Sequence, residues 1–264
     1  MDASSPWGPV LCGLGLVGLV VALWVHCFAG KPTLFHPRAS STSEALSFWE
    51  RLSVHLIVYD LWALAFGAVL WRGPAKNYLD THLAFERSWA VYPAWEWLYV
   101  TVYFVPFLMP WLAPHRAALR RYVWQFSWIS VISLTLYFAL PFGSPPRPFV
   151  PDSVAGHLLQ WETQRPDFAA AALPSFHVFW ALVCAGLLSA RSPAWVVAGA
   201  LWAVAATISC VANGAHAVLD VVASVVIYFV VAYQGRGSAW IAEAERESGH
   251  SRSRHPRPSC DLSC

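Results

Sequence analysis

Charge is what this chain has least of. Of its 264 residues only 12% are Asp, Glu, Lys or Arg, while 57% are hydrophobic, and mean hydropathy is +0.47. Soluble domains carry about 25% charged residues, so a chain with half that share has too little polar surface to cover a globule in water. A soluble enzyme is thereby argued against. A patterned cysteine framework is missing as well, because the six Cys are scattered, which excludes a disulfide-stapled secreted domain. No apolar run alternates with period two, which argues against a β-barrel, and no internal repeat is visible. Aromatic residues, by contrast, are abundant at 15%, which excludes a disordered or collagen-like chain. The net charge of +2 points to no nucleic-acid partner.

What is present is a series of uncharged apolar runs. They cover Gly8 to Gly30, Ser53 to Trp71, Pro93 to Ala113, Tyr122 to Phe142, Pro174 to Ala190, Ala194 to Ala212 and His216 to Tyr233. Each is near the roughly 20 residues that a membrane-spanning helix needs. The chain therefore reads as all-α, a polytopic transmembrane helical bundle of up to seven spans. Trp71, Tyr92, Trp95, Trp111, Tyr122 and Trp195 stand at run ends, as interfacial aromatics do. The first run is read as a span in preference to a cleaved signal peptide, since only Asp2 is charged before it and it is long for a signal core.

Counting Lys and Arg on alternate sides of seven spans sets the orientation. One side receives Lys31, Arg38, Arg51, Arg116, Arg120, Arg121, Arg191, Arg236, Arg246, Arg252, Arg254 and Arg257. The other receives Arg72, Lys76, Arg87, Arg147 and Arg165. The positive-inside rule makes the richer side cytoplasmic. The C-terminal tail is then expected inside, and the Gly143 to Leu173 loop outside. Cys12, Cys27, Cys184 and Cys210 read as small apolar residues within spans. Cys264 is the final residue and so forms no prenylation box.

Polar residues at span ends carry the functional signal, because ionisable groups are costly there. Helix alternation brings three such segments to the outward side: Pro145-Pro146-Arg147-Pro148, Leu173-Pro174-Ser175-Phe176-His177 and Asn213-Gly214-Ala215-His216-Ala217-Val218-Leu219-Asp220. His216 and Asp220 are four apart on one helical face, so the carboxylate can hold one imidazole proton and leave the other nitrogen as nucleophile or base. His177 lies in the first turn of its helix, where it can protonate a departing oxygen. Ser175 and the first-turn amides form an anion site, and Arg147 between prolines offers a guanidinium suited to phosphate. Asn213 either donates to a phosphate oxygen or caps the last helix. Together these residues describe metal-free phosphoryl transfer through a phosphohistidine.

These segments resemble the motifs of the type 2 phosphatidic acid phosphatase (PAP2) superfamily, in the branch that includes inositol-phosphotransferase-like membrane proteins. Leu173 to His177 resembles the second motif, Pro-Ser-x-His. Asn213 to Ala223 resembles the third, with its His-x-x-x-Asp core, and Pro145 to Pro148 resembles the Arg-Pro end of the first. The resemblance implies a six-helix core over residues 53–233, with residues 1–52 adding an N-terminal helix and linker and residues 234–264 forming a polar tail. It also implies a lipid phosphate or phosphodiester substrate, an exocytoplasmic site and no cofactor or metal. His216 is the expected nucleophile, His177 the acid and Asp220 the orienting group. Arg147, Ser175 and Asn213 are the expected phosphate contacts. Two cations of the family pattern are absent, their places taken by Leu140 and Cys210. Arg165 and His157 are the nearby groups that could restore the charge.

Three choices stay open at this level. The acceptor is water or an alcohol such as inositol. His55, Asp60 and Glu96 either line the substrate cavity or pair with one another. A non-catalytic seven-span protein, or a metal or haem site on His177 and His216, competes with the enzyme reading; the non-catalytic alternative leaves the outward His, His and Asp unexplained.

Overall fold

The computed structural model describes residues 7–28, 46–73, 77–164 and 168–236. Most of the expected linker between Lys31 and Leu52, the tail beyond Arg236, and Arg165 lie outside them. The described residues form eight helices: α1 (Trp7–Phe28), α2 (Phe48–Arg72), α3 (Glu96–Leu112), α4 (Arg116–Ala139), α5 (Val154–Thr163), α6 (Phe176–Leu188), α7 (Pro193–Ala212) and α8 (Val218–Arg236). The expected helical class is correct, and each of the seven apolar runs holds one helix.

Among the described residues, three helices are long and apolar enough to cross a membrane: Phe48–Arg72, Pro193–Ala212 and Val218–Gly235. The 13 residues of α6 rise only about 20 Å against a hydrocarbon core of about 30 Å. The α3 helix has 17 residues and contains Pro106 and Pro110. Arg116, Arg120, Arg121 and Gln125 make the start of α4 polar. The distribution of side chains still suits lipid better than water. Leu201, Val204 and Ile208 on α7 and Val222, Val226 and Phe229 on α8 face outward, whereas Glu96, Arg147 and Asp220 are buried. That is the arrangement of a membrane protein, with apolar residues toward lipid and ionisable ones inside the bundle.

Arginines set the directions of the central helices by closing helix ends. Arg51, near the start of α2, donates to the carbonyls of Pro110 and Trp111 at the end of α3, both at 2.7 Å. Arg72, at the end of α2, donates to those of Tyr137 and Phe138 at the end of α4, at 2.9 and 3.1 Å. Carbonyls of a last turn have no helical partner and favour a cation. It follows that α3 runs antiparallel to α2 and α4 runs parallel to it. The 2.8 Å ion pair of Glu50 with Arg116 joins the starts of α2 and α4, and Ser47 and Glu50 form a capping box that begins α2.

The core is aromatic. Tyr59 stacks on Phe107 with ring centroids 4.4 Å apart, and its hydroxyl meets that of Tyr122 at 2.8 Å, so each buried phenol satisfies the other. Trp180 packs edge-on against Tyr59, Trp62 and Phe126. Two features depart from the loops expected between spans. Strand β1 (Leu79–Asp80) pairs in parallel with β2 (Phe142–Gly143), and α5 interrupts the segment from Gly143 to Leu173. Two-residue strands show no period, and α5 is only ten residues, capped by Ser153 on the Gly156 amide, so neither produced a hydropathy signal.

α1 packs closely along α2. A Cβ on Gly67 would stand 2.9 Å from the Cys12 backbone nitrogen, and one on Gly15 would stand 2.7 Å from the Asp60 carbonyl oxygen. Small residues let apolar helices approach to backbone contact. Gly67→Leu is therefore expected to destabilise the detergent-solubilised protein by about 2 kcal/mol or more through overpacking. Gly13→Leu, where nothing lies within 4 Å, should leave the melting midpoint unchanged. Equal effects of the two variants would refute a tight α1–α2 seam.

Candidate active site

The three sequence segments converge at one end of the bundle. The turn between α7 and α8 is the framework of the site, because His216 lies on it and Asp220 is in the first turn of α8. Gly214 adopts φ 78°, and a Cβ there would sit 2.8 Å from Val91 and 3.4 Å from the Arg147 Cβ, so both conformation and space call for glycine. The His216 amide donates to the Cys210 carbonyl at 2.9 Å, which folds the turn back on α7. The Ala217 amide donates to Asp220 Oδ2 at 2.9 Å. His216 Nδ1 is 3.5 Å from the same oxygen, a charge-pairing distance longer than a formed hydrogen bond. His216 and Asp220 thus meet as the i, i+4 spacing predicts, and Nε2 of His216 is directed away from the carboxylate.

His177, in the first turn of α6, faces that nitrogen. Its Nδ1 lies 3.2 Å from His216 Nε2 and 3.0 Å from the hydroxyl of Tyr99. The start of α6 is tied to its surroundings by the Ser175 amide, 3.4 Å from the Asp220 carbonyl, by Ser224 Oγ on the Ser175 carbonyl at 3.1 Å, and by the Tyr137 hydroxyl on the Pro174 carbonyl. Both histidines line a cavity of about 510 Å³ that is walled mainly by Trp62, Phe66, Tyr103, Phe104, Phe176 and Trp180, with Glu162 as its charged group.

The expected phosphate contacts are placed differently from one another. Arg147 is buried, and its guanidinium donates to the carbonyls of Glu86 at 3.4 Å and Trp89 at 3.1 Å, and to that of Val211. Burial lowers its pKa, while the nearby Glu86 carboxylate raises it. Nε is the nitrogen with no protein partner. Arg147 therefore clamps the end of α7 to the loop before α3 and does not line the cavity. Asn213 donates to Glu96 Oε2 at 2.9 Å and accepts from the Ala215 amide at 3.1 Å, so its amide holds the turn together. Ser175 Oγ is buried without an oxygen or nitrogen partner and adjoins the sulfur of Cys210. Cys210 itself is fully buried and packs with Tyr99, Val178 and Ala215, so a neutral thiol stands where the resemblance implied a cation. Leu140 is 37% exposed. His157 is exposed on α5.

His55, Asp60 and Glu96 neither line the cavity nor pair with one another. The His55 ring packs against Tyr59 and Phe107. The Asp60 carboxylate lies against Gly18 of α1. Glu96 bonds Asn213. Sequence reading missed Tyr99, Tyr103, Glu86 and Glu162. The two tyrosines are four apart in α3, a spacing that signals a shared helical face, but apolar surroundings made them look like packing. Glu86 sits in a 3₁₀ turn without periodicity.

A sequence model of the PAP2 superfamily matches residues 65–234, which is most of the chain and includes every residue of this site. The protein is a helical membrane protein with a His, His and Asp site, and it belongs to the PAP2 superfamily. Members of that superfamily are in general phosphatases and phosphotransferases. No curated protein and no solved structure matched the chain significantly.

Glu86 is 1% exposed, and its two oxygens accept from the Val218 amide at 2.8 Å and the Leu83 amide at 3.1 Å. It thereby anchors the start of α8. Glu86→Ala would leave both amides short of a partner and is expected to cost about 2–4 kcal/mol. Chemical or thermal unfolding in detergent measures this, and a loss under about 0.5 kcal/mol would show that the α8 start does not depend on Glu86.

Proposed function

We propose that the chain is an integral membrane enzyme that transfers or hydrolyses the phosphate group of a lipid phosphoester through a phosphohistidine on His216. The observation that carries the reading is the meeting of His216, His177 and Asp220 at the mouth of an apolar cavity. In this mechanism His216 Nε2 attacks phosphorus and the bond to the leaving oxygen breaks. His177 gives that oxygen a proton, and Asp220 stabilises the His216 imidazolium. Water or an alcohol then takes the phosphoryl group from His216 and regenerates the imidazole. The two rings stand too close for a phosphorus atom between them, so they must part as substrate enters.

The topology proposed is seven spans, a six-helix core over residues 53–233 preceded by α1, with the site exocytoplasmic and the tail cytoplasmic. The Lys and Arg asymmetry supports that orientation. The short α6 and the proline-containing α3 enter this count as helices whose polar ends meet other protein segments instead of lipid.

A phosphodiester lipid, with transfer of its headgroup to an alcohol such as inositol, is favoured over a phosphomonoester by the charge of the cavity. None of its described lining residues is Lys or Arg, while Glu162 is among them. A dianionic monoester would face that carboxylate, whereas a diester brings less charge to the same place.

His216→Ala is expected to lower turnover at least about 10³-fold while the protein stays folded. The assay is incubation of the purified protein with phospholipids and phosphorylated lipids, separating released phosphate from transferred headgroup. Retained activity would overturn the assignment, and turnover of neither class by the wild-type chain would favour a non-catalytic role. Turnover should also survive EDTA. A loss restored by a divalent metal would point instead to metal-assisted chemistry.

A further inference from the structure

Behind His177 lies a line of adjoining polar side chains that the mechanism above does not use. Tyr99 meets His177 Nδ1 at 3.0 Å. Tyr103 stands next to Tyr99, their rings edge-on at 5.9 Å. Tyr103 donates to Glu162 Oε1, and Glu162 lies beside Glu96, which holds Asn213. Tyr99 is fully buried and Glu162 nearly so.

Proton positions along this line follow from its ends. Asp220 beside His216 Nδ1 places the hydrogen on that nitrogen and leaves Nε2 as an acceptor. At the contact between the two rings His177 Nδ1 must then be the donor. The Tyr99 oxygen can only accept from the same N–H, so its own hydrogen is left to point toward the adjoining Tyr103. Tyr103 already donates to Glu162. Every donor thus points from His177 toward the carboxylates, and Nε2 is the His177 nitrogen left for substrate.

We infer that Glu162, acting through Tyr103 and Tyr99, is the carboxylate that positions His177 and stabilises its protonated form, as Asp220 does for His216. The inference rests on the phosphoryl-transfer reading and deepens it. In the first half-reaction the N–P bond forms at His216 as the P–O bond breaks. The leaving alkoxide takes the proton from His177 Nε2, and His177 becomes the neutral Nδ1–H tautomer. The imidazolium needed beforehand is matched by the negative charge at the far end of the line. Glu162 is thus a positioning residue, and it also accounts for a carboxylate in a cavity meant for phosphate. The neighbouring charge is connected through the tyrosines to the acid and opposes no cation-binding role there.

The test compares leaving groups. An alkyl ester must be protonated as it departs, whereas a p-nitrophenyl ester of the same phosphoryl group leaves without an acid. Tyr103→Phe and Glu162→Gln are each expected to lower kcat on the alkyl lipid ester at least about tenfold, a part of the ~10²–10⁴ that a placed general acid supplies. Measured against the p-nitrophenyl ester, the alkyl ester should be disfavoured at least about tenfold more than in wild type, and an unchanged melting midpoint in detergent shows that the variants fold. The double variant should lose no more than either single one, as residues of one unit do. Equal losses on both esters, or no loss on either, would overturn the inference. A wild-type chain that turns over neither ester would overturn the phosphoryl-transfer reading, and this inference with it.

Discussion

The site depends on one constraint, which is that the turn between α7 and α8 must be held without water. Its carbonyls and amides sit inside a bundle where an unsatisfied polar group costs several kcal/mol. Arg147 takes the Val211 carbonyl at the end of α7, and Glu86 takes the Val218 amide at the start of α8. The two residues come from different loops and sit close enough for the Glu86 charge to act on Arg147. Between these two anchors Gly214 reverses the chain and His216 is presented. The helices beneath supply a base for this strap, and the β1–β2 pair brings the loops that carry it together.

This arrangement changes the meaning of the arginine that the phosphate motif singles out. In a water-filled site a guanidinium is a substrate contact first. Here it satisfies three main-chain carbonyls, and only its Nε is left without a protein partner. The same economy explains Asn213, whose amide closes on Glu96 and Ala215. Two side chains expected to contact phosphate, Arg147 and Asn213, form the structural frame instead. They stand outside the described lining of the cavity, which holds no Lys or Arg.

Much of the site was legible from spacing. His216 and Asp220 had to share a face at i and i+4, and alternation of helices brought His177 to the same end. The apolar runs gave the helices with boundaries within a few residues. The illegible parts have a common cause. Tyr99, Tyr103 and Glu162 act through contacts between α3, α5 and α6, which carry no local signature. The two-residue strands and Glu86 lie in segments too short for any period. Asp60 and Glu96 were recognisable as costly buried acids, yet their partners, Gly18 of α1 and Asn213 of the α7–α8 turn, are distant in the chain.

Hydropathy and motif spacing by themselves pointed to a helical membrane protein whose two histidines and aspartate come to one end of the bundle. Those properties are local, since burial in lipid selects apolar runs and the helical period sets which residues share a face. Tertiary structure alone decided that Arg147 clamps a turn, that the cavity beside the histidines is apolar and carries Glu162, and that a line of tyrosines joins that carboxylate to His177. Such assignments depend on which helix ends and loops meet, and in a dry interior each buried donor must take whatever acceptor that meeting provides.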